Sequence, residues 1–246
     1  MSKVSIVLPT LDEAENIIPL IMAITQAVPH FHEIIVVDDN SPDGTARLVE
    51  EYAKKNDLRV KVEKANRIGL TKSIWRGIEK STGDVVVWMD CDFSMPPELI
   101  PQLLKVIDER YDIAVGSRFV PGGSFKKDTK GTQDTWLAVA LSRMMNYSIR
   151  FFLERGFHDY TSGYVAVRKI VFDSIKLKGD YGEYFIDFIF RAIKRGYTYK
   201  EIPYICVPRK SGYSKTGTNI LQFLKRGQKY VTTTIELRWL ALFGRL

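Results

Sequence analysis

Two aspartates one residue apart, Asp90 and Asp92, follow the apolar run Val85-Val-Val-Trp-Met and are closed off by Pro96-Pro97. Alternate residues of an extended chain point the same way, so both carboxylates are expected to meet at one point beyond the strand's carboxyl end. Hard cations of the magnesium or manganese type take oxygen ligands. Magnesium in particular makes do with one or two carboxylates, completing its shell with water and substrate phosphates. The chemistry suggested is therefore a divalent cation bridging to a diphosphate. An acid-rich surface turn would carry the same residues, but the preceding apolar run argues for a strand end. Cys91 reads as a small side chain filling the space between the acids.

Two further turns carry acids after apolar runs: Thr10-Leu11-Asp12-Glu13 follows Val4–Leu8 and Pro9, and Asp38-Asp39 follows Glu33–Val37. Three such turns meeting in one crevice would make a site where each alone would not. The elements that must bring them together are read from periodicity. Strands at 3–8, 33–37, 59–63, 85–90 and 112–116 alternate with helices at 13–27, 45–55, 70–80 and 97–110, the first helix capped by Asp12 or Thr10. Near-continuous Ile/Val strands between helices indicate a mostly parallel sheet covered on both faces. Ligands of such sheets collect beyond the carboxyl ends of the strands.

Beyond Arg118 the pattern changes. A glycine-rich basic loop at 120–131 contains Lys126, Lys127 and Lys130 and leads to an apolar helix at 136–153. Arg143 and Arg150 interrupt that helix, which therefore reads as core or groove lining rather than a membrane span. A strand at 161–168, a helix at 183–195, a strand at 198–202, a second basic loop at 208–217 and a last helix at 219–243 complete the chain.

With 246 residues, 45% hydrophobic and 26% charged, the chain can bury a proper core. Its two cysteines and the character of its N-terminus favour a reducing compartment. There is no Gly-x-Gly-x-x-Gly after the first strand, no Gly-Lys-Ser/Thr phosphate loop and no Gly-x-Ser-x-Gly elbow, so dehydrogenase, P-loop ATPase and serine hydrolase are poorly supported. The net charge of +7 is concentrated in residues 209–246, where eight basic residues face only Glu236. A basic tail calls for an anionic partner. Nucleic acid is disfavoured, because an acid-lined crevice repels a polyphosphate and no recognition motif is present. In the last helix, Ile220, Leu224, Val231 and Ile235 share a helical spacing, with Lys225, Arg226 and Lys229 mainly on another face. Such a helix either lies in a lipid interface or packs on the body of the protein.

The stretches Leu8-Pro-Thr-Leu-Asp-Glu-Ala-Glu-Asn16, Ile35–Gly44, Gly83–Asp92, Gly116-Ser-Arg-Phe-Val-Pro-Gly-Gly123, Ser162–Lys169 and Gly212-Tyr-Ser-Lys215, taken in order, resemble family 2 glycosyltransferases of the GT-A fold. They are most similar to the polyprenyl-phosphate sugar synthases typified by dolichyl-phosphate mannose synthases. The resemblance implies a transferase domain over 1–218, with a nucleotide-sugar half at 1–117 and an acceptor half at 118–218, followed by a basic amphipathic helix at 219–246. It implies that Pro9, Leu11, Glu13, Val37 and Asp39 hold the nucleoside, that Asp90 and Asp92 hold Mg2+ or Mn2+ beside Cys91, and that Arg118, Arg209, Ser214 and Lys215 contact the phosphates. Asp90, Asp92 and Arg209 would carry catalysis, and Lys126, Lys127, Ser142 and Arg143 would meet the acceptor. The implied reaction is inverting transfer of a hexose, mannose favoured, from a nucleotide-sugar such as GDP-mannose to dolichyl or another polyprenyl phosphate. The implied place is peripheral, on the cytoplasmic side of a membrane, with a membrane-embedded partner or segment as a further expectation. Transfer to a sugar hydroxyl, with Asp159, Glu183 or Asp187 as base, and nucleotide-sugar binding without catalysis are the alternatives. The chain departs from the pattern where Ser94 replaces a glutamine ligand and where Val139-Ala140, instead of an Arg-Lys pair, precede Ser142.

Overall fold

The computed structural model describes residues 2–125, 136–211 and 220–246. Its first half alternates strand and helix as the periodicity predicts: β1 (Val4–Thr10), α1 (Ala14–Ala27), β2 (Glu33–Asp38), α2 (Thr45–Lys55), β3 (Val60–Lys64), α3 (Leu70–Lys80), β4 (Val85–Trp88), α4 (Ile100–Asp108) and β5 (Ile113–Ser117). The second half contributes β6 (Ser124–Phe125), α5 (Trp136–Phe152), β7 (Val165–Arg168), α6 (Glu183–Lys194), β8 (Tyr199–Pro203), β9 (Ile205–Cys206) and α7 (Ile220–Leu242). Seven strands form one sheet in the order β3-β2-β1-β4-β7-β5-β8, and β6 pairs with β9 apart from it. Only β7 runs antiparallel to its neighbours in the large sheet.

The strand order explains where a site can be. From β1 the chain steps outward to β2 and β3, then returns to the other side of β1 for β4. At this reversal the connections leave in opposite directions and open a crevice at the carboxyl ends of β1, β2 and β4.

Alternation along the strands divides the apolar side chains between two cores. Ile6, Leu8, Ile34, Val36, Val85 and Val87 face α1 and α4, meeting Ile17, Leu20, Ile21, Leu103 and Ile107. Val7, Ile35, Val37, Val86 and Trp88 face α3 and α6, meeting Ile74, Ile78, Phe185, Phe188 and Ile189. Each fully buried aliphatic or aromatic side chain contributes about 1.5–3 kcal/mol, so both faces of the sheet are firmly held. Close approach of α3 to β1 depends on Gly77, where a Cβ would collide with the Val7 side chain.

The last helix packs on the body of the protein along one face and leaves apolar side chains exposed along another. Leu237 and Thr234 are buried, whereas Val231, Ile235, Trp239, Leu242 and Phe243 are exposed. On α5, Ile149 and Asn146 are buried while Met144, Tyr147, Phe151 and Phe152 stand in solvent. The two helices pack on one another, so α5 is only partly a core helix. No helix among the described residues is long and apolar enough to cross a membrane.

Candidate active site

The crevice is built by side chains that first fix its turns. At the end of β1, the Thr10 hydroxyl donates to Asp38 Oδ1 at 3.2 Å, and Asp38 also receives the Ser41 hydroxyl at 2.5 Å and the Ser41 amide at 3.0 Å. Asp38 thus closes its own turn. Asp39 reaches across instead: its two carboxylate oxygens accept the amides of Ile68 and Gly69 at 2.7 and 2.8 Å. Gly69 has φ of +87°, which lets this amide turn inward as α3 begins. Asp39 is buried and ties the end of β2 to α3.

The start of α1 corrects the expected cap. No side chain from Thr10 or Asp12 caps the helix; the Glu13 amide donates to the Thr45 hydroxyl at 3.1 Å and the Ala14 amide to Asp43 Oδ2 at 2.9 Å. Asp43 lies in the turn after β2 and Thr45 is the first residue of α2. The first helix is therefore oriented by the turn after β2 and the start of α2, which residues 10–13 alone do not reveal.

The aspartate pair also arrives by a different route from the one expected. β4 ends at Trp88, so Asp90 and Asp92 lie in a turn, not on a strand, and strand alternation is not what aligns them. The turn is held by the Asp90 amide donating to Met95 Sδ and by Asp92 Oδ1 accepting the Ser94 amide at 2.9 Å, with Phe93 at φ +66°. Ser94 thus serves this turn through its main chain. Cys91 is buried between the acids, its thiol 3.4 Å from the Pro9 carbonyl.

The two carboxylates nevertheless act on one another. Solvent reaches Asp90, but the crevice walls crowd it; that crowding first, and the charge of Asp92 second, push its pKa up to about 7 against the opposing pull of Arg209 and Arg118. A pair in this condition has surplus negative charge that a cation would relieve. Among the described residues no three His, Cys, Asp or Glu side chains converge as a metal cage. Two carboxylates with water and a diphosphate would suit magnesium or manganese, whereas a structural zinc site would need more protein ligands.

Arg209 comes from the far end of the chain. One guanidinium nitrogen donates to Glu13 Oε1 at 3.0 Å, and the other lies 3.1 Å from Asp92 Oδ2. The backbone follows the same path: the Val207 amide donates to the Ser94 carbonyl and the Lys210 amide to the Asp92 carbonyl at 3.0 Å. The link joins residues more than a hundred positions apart, which no local pattern of the sequence displays.

The structure places the other named residues unequally. Val37 is fully buried in the core, so only its main chain can reach a ligand. Pro9 and Leu11 flank the crevice at the end of β1. Arg118 is committed to Asp159, with its amide, Nε and Nη2 all donating to that carboxylate at 2.8–2.9 Å and Nη2 also reaching the Thr161 hydroxyl. Phe119 and Phe125 cover the guanidinium. Ser142 and Arg143 lie on α5, Arg143 exposed. Lys126, Lys127, Lys130, Ser214 and Lys215 lie outside the described residues.

The sequence model of glycosyl transferase family 2 matches residues 5–176. The chain is 37% identical over 223 residues to a polyprenol monophosphomannose synthase of Mycolicibacterium smegmatis, covering 87% of this chain and 82% of that protein. It is 34% identical over 233 residues to a dolichol-phosphate mannosyltransferase of Pyrococcus furiosus, covering 91% of this chain but only 62% of that longer protein. Its fold superimposes with a TM-score of 0.70, at 18% identity and over 96% of this chain and 80% of the other, on glucosyl-3-phosphoglycerate synthase of Mycobacterium tuberculosis, solved with Mn2+, UDP-glucose and phosphoglyceric acid. The expected GT-A architecture is the one observed, and the chain belongs to glycosyl transferase family 2.

Proposed function

We propose that the chain transfers mannose from GDP-mannose to a polyprenyl phosphate at a membrane surface. The observation that carries this reading is its likeness, over most of its length, to two enzymes both named for joining mannose to a polyprenol phosphate. The geometry supports it in two ways. Of the three carboxylates that a hydroxyl acceptor would need as candidates for a base, Asp159 is saturated by Arg118 and Thr161, Asp187 is buried against Arg191 at 2.8 Å, and Glu183 is buried, accepting the Asp180 amide. A phosphate monoester, with its second pKa near 6, arrives largely ionised and needs no base. The outer faces of α5 and α7 supply the apolar surface on which a lipid-borne acceptor could be met.

In this reading an acceptor phosphate oxygen attacks the anomeric carbon as the bond to the nucleoside diphosphate breaks, and the electron pair leaves with the diphosphate. Asp90 and Asp92 would hold a divalent cation, which when bound supplies Lewis-acid stabilisation of the departing diphosphate. Arg209 stands 3.1 Å from Asp92 and is positioned to share that charge, an effect strongest in a preorganised site that excludes water. Asp39 holds the nucleoside side of the crevice in shape through Ile68 and Gly69.

The test is to incubate the protein and membranes with a panel of labelled GDP- and UDP-sugars plus Mg2+ or Mn2+ and to ask whether label enters organic solvent. Transfer from GDP-mannose is expected. Label that stays wholly aqueous across the panel would overturn the lipid acceptor.

A further inference from the structure

Asn16 stands in the first turn of α1, is 2% exposed, and has no part in the mechanism above. Its side-chain amide donates twice: to Glu13 Oε2 at 2.8 Å and to the Ser211 carbonyl at 3.1 Å, across 195 residues. The orientation follows from chemistry. Turned over, the amide oxygen would face a carboxylate oxygen and a carbonyl oxygen, three acceptors with no proton among them. The amide has two hydrogens, and both are committed to the same neighbourhood.

The consequence lies at Arg209. Glu13, steadied through Oε2 by Asn16, offers Oε1 to the Arg209 guanidinium at 3.0 Å. Ser211, two residues beyond Arg209, is held by the same amide. Asn16 thus fixes Arg209 from both sides, through its ion-pair partner and through its own backbone. Among the described residues the Asn16 oxygen has no hydrogen-bond partner in this buried place. An unsatisfied buried acceptor is destabilising, so stability alone does not favour an amide here.

We propose that Asn16 is a positioning residue that sets the guanidinium of Arg209 against Asp92, and so prepares the diphosphate end of the crevice before a ligand arrives. The inference rests on the donor-site reading of this crevice. Two measurements test it. In ligand-free protein, Asn16→Ala should speed hydrogen exchange of the Lys210 amide, which donates to the Asp92 carbonyl, by about tenfold. Asn16→Asp, equal in size but unable to donate when ionised, should do so at least as strongly and serves if the alanine variant does not fold. Unchanged exchange would overturn the proposal whatever the enzyme does.

The second measurement is a double-mutant cycle read by calorimetric binding of GDP with Mn2+. Asn16→Ala should weaken binding about tenfold in the parent and less than twofold in an Arg209→Ala background, because a residue that acts through another is silent once that one is gone. Equal losses in both backgrounds would mean a merely structural role and would sink the idea. If the parent protein binds no GDP, the donor-site reading fails, and the exchange measurement still decides whether Asn16 holds the Arg209 segment.

Discussion

Among the described residues from Val4 to Ser117, the only large apolar side chain standing in solvent is Met22; after Ser117 the exposed set includes Met144, Tyr147, Phe151, Phe152, Val231, Ile235, Trp239, Leu242 and Phe243. The two regions share one sheet, so the difference is not one of folding quality. It lies in what each region faces. The first surrounds a crevice whose acids are tied to backbone amides and to Arg209 and which, on the proposed function, would take a water-borne anionic donor through a bound divalent cation. The second turns aromatic and aliphatic groups outward on α5 and α7, which in water is unfavourable and in a lipid interface is not. On the proposed function, the division of surfaces mirrors the division of substrates.

The sharpest way to break the comparison is Asp92→Ala. It removes a proposed cation ligand and one partner of Arg209 together, and transfer should fall about a thousandfold, as for loss of one strong transition-state contact. Initial rates and Mn2+ binding by electron paramagnetic resonance check this. Binding to vesicles should be unchanged, because the second region is untouched. Loss of both functions at once would mean that the two regions are not separable.

Next in size is a pH effect confined to the first region. Glu33 starts β2, and burial alone would raise its pKa; hydrogen bonds from Lys61, from Thr82 and from Ser5 outweigh that and hold it down at about 2. A carboxylate with a folded pKa below its unfolded value stabilises the fold fully above about pH 4.5 and loses that contribution as pH falls towards 2. Lys61 is largely exposed, which screens its share. Glu33→Gln should therefore lower stability by about 2 kcal/mol at pH 7, and the gap from the parent should close as pH falls from 4.5 towards 2. Urea midpoints across that range measure it. A gap independent of pH would mean that packing, not charge, holds β1, β2 and β3 at this point.

Smaller again is the effect of removing the outward face. Trp239→Ser with Ile235→Ser should weaken flotation with anionic vesicles about tenfold, well below the roughly hundredfold or more that full burial of two such side chains would give. Thermal stability and GDP binding should hold, since both residues are more than half exposed. Unchanged flotation would leave α7 as a helix that merely packs on α6.

Much of the first region could be read from sequence because its signals are local. Ile/Val runs set strands, amphipathic spacing set helices, and acids follow the apolar runs of β1, β2 and β4, whose ends border the crevice. What escaped was whatever depends on residues far apart. Asp43 and Thr45 capping α1, Ile68 and Gly69 meeting Asp39, and Asn16 reaching Ser211 have no local pattern, since an acceptor does not reveal its distant donor. Strand alternation, the reason the sequence offers for pairing Asp90 with Asp92, does not hold; a turn fixed by Ser94 and Met95 places them. For α7 the apolar spacing of Val231 and Ile235 marked a face correctly but could not say that it points outward, because periodicity gives a stripe without telling what covers it.

The smallest expected effect is also the one that separates a lipid phosphate from a sugar hydroxyl as acceptor. A hydroxyl needs a base, and loss of a general base lowers turnover by about a hundredfold or more. Asp187 has the raised pKa that such a base would have, owing to burial first and only partly offset by Arg191. Asp187→Asn alone would mislead, because it strands Arg191, which is itself buried, and breaking such a pair destabilises by about 3–5 kcal/mol. Replacing both partners by apolar residues of similar size, Asp187→Leu with Arg191→Met, removes the carboxylate without leaving a charge behind, a change often neutral for stability. If the acceptor is an ionised phosphate, turnover in this double variant should stay within threefold of the parent at equal folded concentration. A hundredfold fall with an unchanged melting temperature would instead make Asp187 the base, and would join the two regions in one acid–base device rather than dividing them between a soluble donor and a lipid acceptor.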